Sequence, residues 1–505
     1  MEKRSKRPEV LAAIDVGTNA VRLELARPLP DGSLETLHQE RDPVRPGEGV
    51  FATGSMPRAV ADRLLSTLRR YAALCRRDGA LVRAVATSAV REARNRDEIV
   101  RRVREEAGLD LEVVSGREEA RLICLGVLHG RPKTARSLVI DIGGGSTEVA
   151  LARGEHAVEL FSVAVGAVRL TEMFGTASKV TKGRLALLRS YASEAFREGL
   201  PRRLAHPVEA LGASGTINAV VGFAASKGRS AQRKQIARAS EELASMGLEE
   251  RRRHFDPNRA EIVVGGAVIL ETLLDRLGLK SVTSVDTGLR NGVLIDLFRR
   301  TASAEPDDRS GAEAALALGR RFDFDEKHGL QVGAIAVTLF EDLATLHGLP
   351  HFARRILEAA AVLHDLGNAV AFHKHHKHTF YLVANADMPG FSERERELVA
   401  TVARYHRRST PDRKRADLSH FSASELTTVR KLSALLRVAN ALDASHRQPV
   451  RGLRARLGPR AVTLHLRVRD AADLELWDVA REAAFFREVF RKPLEVLTRR
   501  GQPGR

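Results

Sequence analysis

Leu138-Val139-Ile140-Asp141-Ile142-Gly143-Gly144-Gly145-Ser146-Thr147-Glu148-Val149-Ala150-Leu151 is the stretch around which the chain is organised. An apolar run ends in a carboxylate, three glycines and two hydroxyl residues follow, and a second apolar run begins after Glu148. Two strands joined by a tight turn produce that pattern. Consecutive glycines let backbone N–H groups curl around a phosphate without side-chain interference. Asp141 and Glu148, at the two ends of the loop, can hold a hard cation beside that phosphate, as Mg2+ sites commonly do.

The motif occurs twice. Ala13-Ile14-Asp15-Val16-Gly17 aligns with Val139-Ile140-Asp141-Ile142-Gly143, Thr18 and Asn19 continue the loop, and Arg22 takes the place of Glu148. Two related half-domains facing one cleft would produce such a repeat. A third strand-to-glycine junction, Val208 to Thr216, carries Gly212, Ser214, Gly215 and Thr216 into an apolar helix, Ile217 to Phe223. Between the first two loops lie a helix-like segment (Met56 to Arg77), a short strand (Val82 to Ala86) and a helix start at Thr87 with Arg91 in its first turns. In Ser115-Gly116-Arg117-Glu118-Glu119, Ser115 is a good N-cap and Glu118 completes a capping box, which leaves Glu119 the freer carboxylate for chemistry. Glu261 to Leu274 reads as a buried helix whose Gly265-Gly266 is a packing point.

A length of 505 residues predicts about three or four domains. A hydrophobic content of 43% fills several cores and excludes a disordered chain. Aromatics at 5% argue against stacking platforms for single strands, so no specific nucleic-acid partner is expected. The net charge of +18 points to a polyanionic partner, or to an Arg-rich genome writing Arg wherever Lys would serve. Two cysteines, Cys75 and Cys124, exclude a disulfide framework and suit a reducing cytoplasm. No apolar run approaches ~18 residues, so contact with a membrane would be peripheral, without insertion.

A composition shift at Thr301 to Gly311 marks a linker. Beyond it the pattern is helical, and His364-Asp365 falls in a helix over Ile356 to Val370. Phe372-His373-Lys374-His375-His376-Lys377-His378 is a basic run that fits a polyanion-contacting surface; a histidine metal site and a solvated helix face are the alternatives. Arg407-Arg408 and Arg413-Lys414-Arg415 extend the positive strip. Period-2 alternation returns only at Val462 to Val468, in a small strand-containing tail, and an amphipathic helix is expected over Val479 to Leu497.

Taken together, the three loops and the pair Ser115 to Ile123 with Asp141 to Glu148 resemble the exopolyphosphatase/guanosine pentaphosphate phosphohydrolase (Ppx/GppA) family. The resemblance runs from about residue 10 to 300 and continues into a helical domain similar to the HD phosphohydrolases. It implies an α/β actin-like, two-lobed N-terminal half of the sugar kinase/heat-shock ATPase type, then an all-α HD-like domain and a small α+β C-terminal domain. The boundaries expected are 8–133, 134–302, 312–446 and 447–505.

For chemistry, the resemblance implies Glu119 as the general base for an attacking water and Arg91 as an arginine directed at substrate phosphate. It implies Asp141, Glu148 and Asp15 as metal-associated carboxylates. Gly17, Thr18, Asn19, Gly143, Gly144, Gly145, Ser146, Thr147, Gly212, Ser214, Gly215 and Thr216 match its phosphate-cradling turns. The cofactor implied is Mg2+, with Mn2+ and K+ as alternatives, and long members resemble homodimers. The activity implied is an exopolyphosphatase releasing terminal orthophosphate from polyphosphate. Hydrolysis of guanosine pentaphosphate to the tetraphosphate, and a polyphosphate or nucleotide sensor without turnover, are the alternatives. In the helical half, His328, His364, Asp365 and Asp443 match the ligand set of HD phosphohydrolases, where family members often carry Glu at the position of Asp365. Such a site either binds a divalent metal or is a packed vestige.

Overall fold

Two glycine hairpins sit at the centres of two mixed sheets because their first strands are apolar along almost their whole length, the signature of strands covered on both faces. The computed structural model describes residues 9–29, 33–132, 134–201, 209–226, 228–301, 309–412, 415, 418–469 and 471–500. The basic N-terminus 1–8, Val208, the core of the linker (302–308) and Arg413-Lys414 lie outside them. The chain divides into two compact units, Met1–Ala302 and Ser303–Arg505.

In the first unit, β1 (Leu11–Val16), β2 (Val21–Pro28), β3 (Leu34–Asp42), β4 (Leu81–Ala86) and β5 (Leu111–Val113) form a sheet of order β3-β2-β1-β4-β5. The second sheet contains β6 (Arg136–Ile142), β7 (Thr147–Arg153), β8 (His156–Val163), β9 (Glu209–Gly212), β10 (Ser230–Gln232) and β11 (Ser281–Ser284), ordered β10-β11-β9-β6-β7-β8. The central strand is antiparallel to the next strand in each sheet and parallel to a later one: β1 with β2 and β4, β6 with β7 and β9. The repeat read in the sequence is thus a repeat of topology, and the two-lobed actin-like architecture is the one found.

One helix is shared by both lobes. Gly116–Leu128 buries ten of its thirteen residues, an apolar surface on nearly all sides. Leu122 packs with Leu11, Ala13 and Val85 of the first sheet, while Ile123, Cys124 and Val127 pack with Val139 and Ala150 of the second. Its partner, helix Leu289–Thr301, approaches so closely that a Cβ on Gly292 would run into the Leu122 carbonyl, and one on Gly126 into the Gly288 carbonyl. Cys75 and Cys124 are free and buried.

The second unit carries helices Arg309–Arg320, Glu326–Asp342, Phe352–Leu363, His375–Ala384, Glu393–Arg404 and Ala423–Ala441. A three-stranded sheet follows: β12 (Val450–Leu457), β13 (Val462–Val468) and β14 (Leu494–Arg500) in that order, with helix Asp473–Phe490 crossing between β13 and the parallel β14. Helices and sheet share one core, in which Leu435 and Val438 join Leu464 and Phe486.

Two expected helices end earlier than their periodicity indicates. The segment 479–497 is not one helix: the helix stops at Phe490, Arg491 takes a left-handed conformation, and the chain beyond Pro493 becomes β14. Proline removes the N–H a continuing helix needs and pushes the residue before it out of the helical region. The expected helix over 356–370 stops at Leu363, and Leu366–Ala369 is a 3₁₀ turn, so His364-Asp365 sits at a helix end.

Because Gly292 touches the helix that both sheets clamp, Gly292→Ala must push the two helices apart. We expect a loss of about 1–3 kcal/mol in stability from overpacking, read as a lower midpoint in chemical denaturation.

Candidate active site

The two hairpins match atom for atom in their turns. Gly17 N–H donates to the Ala20 carbonyl at 3.1 Å, and Gly143 N–H donates to the Ser146 carbonyl at 2.9 Å. Asp15 stands opposite Arg22, and Asp141 stands opposite Glu148 in the same register. Residues directly opposite on antiparallel strands share a face, so each hairpin pairs two charged side chains; Asp15, Arg22 and Asp141 line the cleft, and Glu148 is buried behind it. In the first hairpin the pair is an ion pair, Arg22 Nη1 to Asp15 Oδ2 at 3.3 Å. In the second both members are acids, and Ser162 Oγ donates to Glu148 Oε1 at 2.8 Å.

The glycines serve a purpose different from the one expected. Among the described residues, Gly143, Gly144 and Gly145 are absent from those with positive φ. A Cβ on Gly144 would instead lie 2.6 Å from Thr18 Cβ in the opposite lobe, and one on Gly145 would lie 2.5 Å from Ser88 Oγ. Glycine is required here so that the two lobes can close on each other.

Glu119 comes from the shared helix. Ser115 caps that helix by accepting from Glu118 N–H at 3.1 Å. The side chain of Glu118 is held by Arg121, which donates to its two oxygens at 2.7 and 2.8 Å and also bonds Asp296. Glu119 points the other way, into the cleft, where Arg91 Nη1 donates to its Oε2 at 2.9 Å and to the Val114 carbonyl at 3.0 Å. The two adjacent glutamates have separate surroundings, as the sequence implied.

A cavity of about 320 Å³ lies between the lobes. Of the expected residues, Asp15, Gly17, Thr18, Asn19, Glu119, Asp141, Gly143, Gly144, Ser214, Gly215 and Thr216 line it. Arg91, Glu148, Gly145, Ser146, Thr147 and Gly212 stand outside its lining. Ser146, Thr147 and Glu148 are buried behind the turn, and a Cβ on Gly212 would strike Ile217. Ser214 spends its hydroxyl on the N-cap of helix Gly215–Ala224, accepting from Ile217 N–H at 3.1 Å. Gly265 and Gly266 are packing points: Cβ atoms there would meet Ala167, Leu170 and Thr216.

Four arginines complete the lining: Arg22, Arg41, Arg259 and Arg290. Arg22 was visible as the counterpart of Glu148, and Arg290 lies in the turn 282–292, but neither carried a motif that marks a ligand. Arg259, in the first turn of helix Pro257–Arg276, donates to Thr216 Oγ1 at 2.7 Å. Burial brings its guanidinium down to about 10.

Against these cations stand four carboxyls. Burial raises Asp141 to about 7, with the Glu119 charge adding to the shift. Burial also raises Glu148 well above its ordinary value, with Glu119 and Asp141 contributing. Asp15 and Glu119 are raised by burial and only partly relieved, Asp15 by Arg22 and Arg290 and Glu119 by Arg91. Asp15 Oδ1 and Glu148 Oε2 are buried oxygens with no hydrogen-bond partner. Orphaned oxygens in an all-oxygen set suit a hard divalent cation, although among the described residues Asp15, Asp141 and Glu148 do not bring three such oxygens within 4.8 Å of one another.

In the second unit the structure brings His328, His364, Asp365 and Asp443 together. His328 Nε2 lies 3.2 Å from His364 Nε2, and His328 Nδ1 lies 2.8 Å from Asp443 Oδ2. Asp365 lies between histidines of several elements, and His364, His375 and His406 together outweigh its burial and hold its carboxyl well below the ordinary range. Of the basic run 372–378, His375 and His376 are buried and the rest is exposed or half-buried.

Comparison with known proteins identifies two matches to family models. That of the Ppx/GppA phosphatase family matches residues 29–301. That of domain III of the same phosphatases matches residues 312–482. Among solved structures, an exopolyphosphatase-like protein is similar at 27% identity and a TM-score of 0.55, over 58% of this chain and 99% of its own. An exopolyphosphatase from Cytophaga hutchinsonii is similar at 25% identity and a TM-score of 0.51, over 57% of this chain and 97% of its own. The Aquifex aeolicus member of the Ppx/GppA family is similar at 26% identity and a TM-score of 0.50, over 57% and 97%. Among the described residues no helix is long and apolar enough to cross a membrane.

The raised carboxyls have a measurable consequence. A carboxyl that titrates higher folded than unfolded keeps extra protons in the folded chain, and the stability this provides is lost as pH rises. For Asp141 the window runs from the ordinary 3.8 to about 7. With chelator present, the thermal midpoint should fall as pH rises from about 4 to about 7. Mg2+ should reduce that fall, with proton release on binding, and Asp141→Asn should flatten it. Differential scanning fluorimetry across pH checks all three.

Proposed function

The chain belongs to the Ppx/GppA phosphatase family, hydrolases acting on phosphoanhydride bonds, and on that premise we propose that it is an exopolyphosphatase removing terminal orthophosphate from inorganic polyphosphate. The observation that carries this proposal is the placing of Glu119, a buried carboxylate aimed at a cleft where two phosphate-type turns meet four arginines. Three features favour a chain of phosphates over a guanine nucleotide. The cavity has no aromatic side chain among its described lining residues on which a base could stack. The net charge is +18. Two of the similar solved proteins bear the exopolyphosphatase name.

In this mechanism the terminal phosphate lies between the turns at Gly17 and Gly143, with Arg22, Arg259 and Arg290 facing its oxygens. Phosphoryl transfer requires positioning and charge neutralisation more than covalent help. A divalent ion held by Asp15, Asp141 and Glu148, Mg2+ before Mn2+, would neutralise developing negative charge when bound. Glu119 takes a proton from water as the new P–O bond forms and the bridging P–O bond breaks, so orthophosphate and a shortened chain leave. Arg91 pairs with Glu119 and opposes the upward push of burial on its carboxyl. Arg91 stands outside the cavity lining, so its part in the mechanism runs through Glu119. The HD-like character of the helices in the second unit, the four-part division at 133, 302 and 446, and a homodimer belong to the same proposal.

Phosphate release from long-chain polyphosphate and from guanosine pentaphosphate, with Mg2+, tests it. Glu119→Gln should lower turnover by about 10²- to 10⁴-fold while leaving the fold intact. Turnover unchanged in Glu119→Gln removes the base from the mechanism, and faster release from guanosine pentaphosphate reverses the substrate order. Arg91→Gln should raise the pKa of Glu119, because it removes the charge that opposes burial. The acid limb of the pH–kcat/KM profile should therefore move to higher pH, an effect that lost packing alone would not cause.

A further inference from the structure

Strand β2 carries an acid where the packing around it is apolar. In Val21-Arg22-Leu23-Glu24-Leu25-Ala26, Leu23 and Leu25 face the core of the first lobe, and Arg22, Glu24 and Ala26 share the opposite face. On that face Ala26 packs with Leu11, Ala13, Leu294 and Leu297, between the first sheet and helix Leu289–Thr301. Glu24 is 2% exposed there and is absent from the lining of the cavity. A carboxylate in an apolar layer is costly unless it is paired.

It has two partners. Thr36 Oγ1, on the neighbouring strand β3, donates to Glu24 Oε1 at 3.0 Å. Arg290 Nη1, in the first turn of helix Leu289–Thr301, lies 3.6 Å from Glu24 Oε2, an ion pair without a hydrogen bond. Among the described residues Glu24 is the one acid within salt-bridge distance of that guanidinium. Burial lowers Arg290 from its ordinary value, and the Glu24 carboxylate is the main influence opposing it.

Each arginine assigned to the phosphate has such a holder: Asp15 for Arg22 at 3.3 Å, Thr216 for Arg259 at 2.7 Å and Glu24 for Arg290. Asp15 and Thr216 also line the cavity, so Glu24 alone of the three stands behind it. An arginine side chain loses much rotamer freedom when it is fixed, and one fixed in advance has lost it before the ligand arrives.

We infer that Glu24 is a positioning residue: paired with Arg290, it holds that guanidinium at the cavity wall in the orientation that receives a phosphate oxygen. This rests on the proposed reading of the cleft as a polyphosphate site. A carboxylate behind an arginine can act in two opposite ways. Its charge repels an incoming phosphate, so by field alone its removal would tighten phosphate binding. By positioning, its removal releases Arg290 and weakens binding. The sign separates the two.

Isothermal titration calorimetry of the full chain with inorganic orthophosphate and Mg2+ reads that sign without turnover. Glu24→Gln keeps the shape and removes the charge, and it should weaken orthophosphate binding about 5- to 20-fold, roughly the worth of one charge-assisted contact. Arg290→Gln should weaken it at least as much, and adding Glu24→Gln to Arg290→Gln should change nothing further. In turnover of polyphosphate by Glu24→Gln, KM should rise with kcat kept within about 2-fold, whereas a generally loosened cleft would lower kcat as well. Thr36→Val alters an exposed strand residue and frees one oxygen of Glu24. It should weaken binding by about 2- to 3-fold, which keeps the inference testable if Glu24→Gln does not fold. Tighter or unchanged binding in folded Glu24→Gln, or in Thr36→Val where Glu24→Gln does not fold, overturns the inference while the reading of the cleft stands. So does a Glu24→Gln effect that persists in full beside Arg290→Gln. Orthophosphate that fails to bind the parent, or whose affinity Arg290→Gln leaves unmoved, overturns that reading and the inference with it.

Discussion

Clamping one helix between two sheets governs the first unit. Helix Gly116–Leu128 has Leu122 in one sheet's core and Ile123, Cys124 and Val127 in the other's. Its outer side is pressed against helix Leu289–Thr301 at glycine distance. The helix therefore has little freedom to rotate or slide, and Glu119 in its first turn is delivered to the cleft by the packing of both lobes. Glu118 pairs with Arg121 and through it with Asp296, on the side facing the partner helix. In the proposed reaction a carboxylate presented from such a buried helix needs little reorganisation, whereas one on a loop would need fixing by its substrate.

The duplicated hairpins add a charge difference to a shared geometry. Each has the same turn bond, the same strand register and an acid at the end of its first strand. The charged residue opposite that acid differs, Arg22 in the first and Glu148 in the second. The first hairpin is internally neutralised and adds its guanidinium to the cavity wall. The second is doubly acidic, and burial together with mutual repulsion raises both carboxyls. A cleft built from two copies of one motif thus has one wall suited to phosphate oxygens and another suited to a metal.

Much of this was legible because it depends on local order. Strand, Asp, glycine and hydroxyl follow one another in the sequence, and the Ser115 cap separates Glu118 from Glu119 within five residues. What was not legible depends on contacts between distant segments. Arg41 and Arg259 are isolated arginines that only the closed lobes bring to the cavity. The glycines of 143–145 looked like a demand for backbone freedom, and for Gly144 and Gly145 a demand comes from Thr18 and Ser88 across the cleft. The end of the last helix was written in Pro493, but the apolar periodicity of the segment outweighed it. His375 stood inside a run whose charge indicated a surface, and nothing local distinguished the one ring that turns toward Asp365 and His406.

Donor chemistry separates the two charge-loaded clusters of the chain. Asp15, Asp141 and Glu148 offer oxygen alone, two of their oxygens are buried without a partner, and the hardness of the set matches Mg2+. The cluster around Asp365 offers mainly imidazole nitrogen, held in the ligating tautomer by carbonyls three residues earlier in the chain. Abundant Mg2+ competes poorly for nitrogen, and a scarce transition ion is drawn to nitrogen before oxygen. In the cleft, excess negative charge is eased by protons as well as by a metal, so occupancy should follow pH.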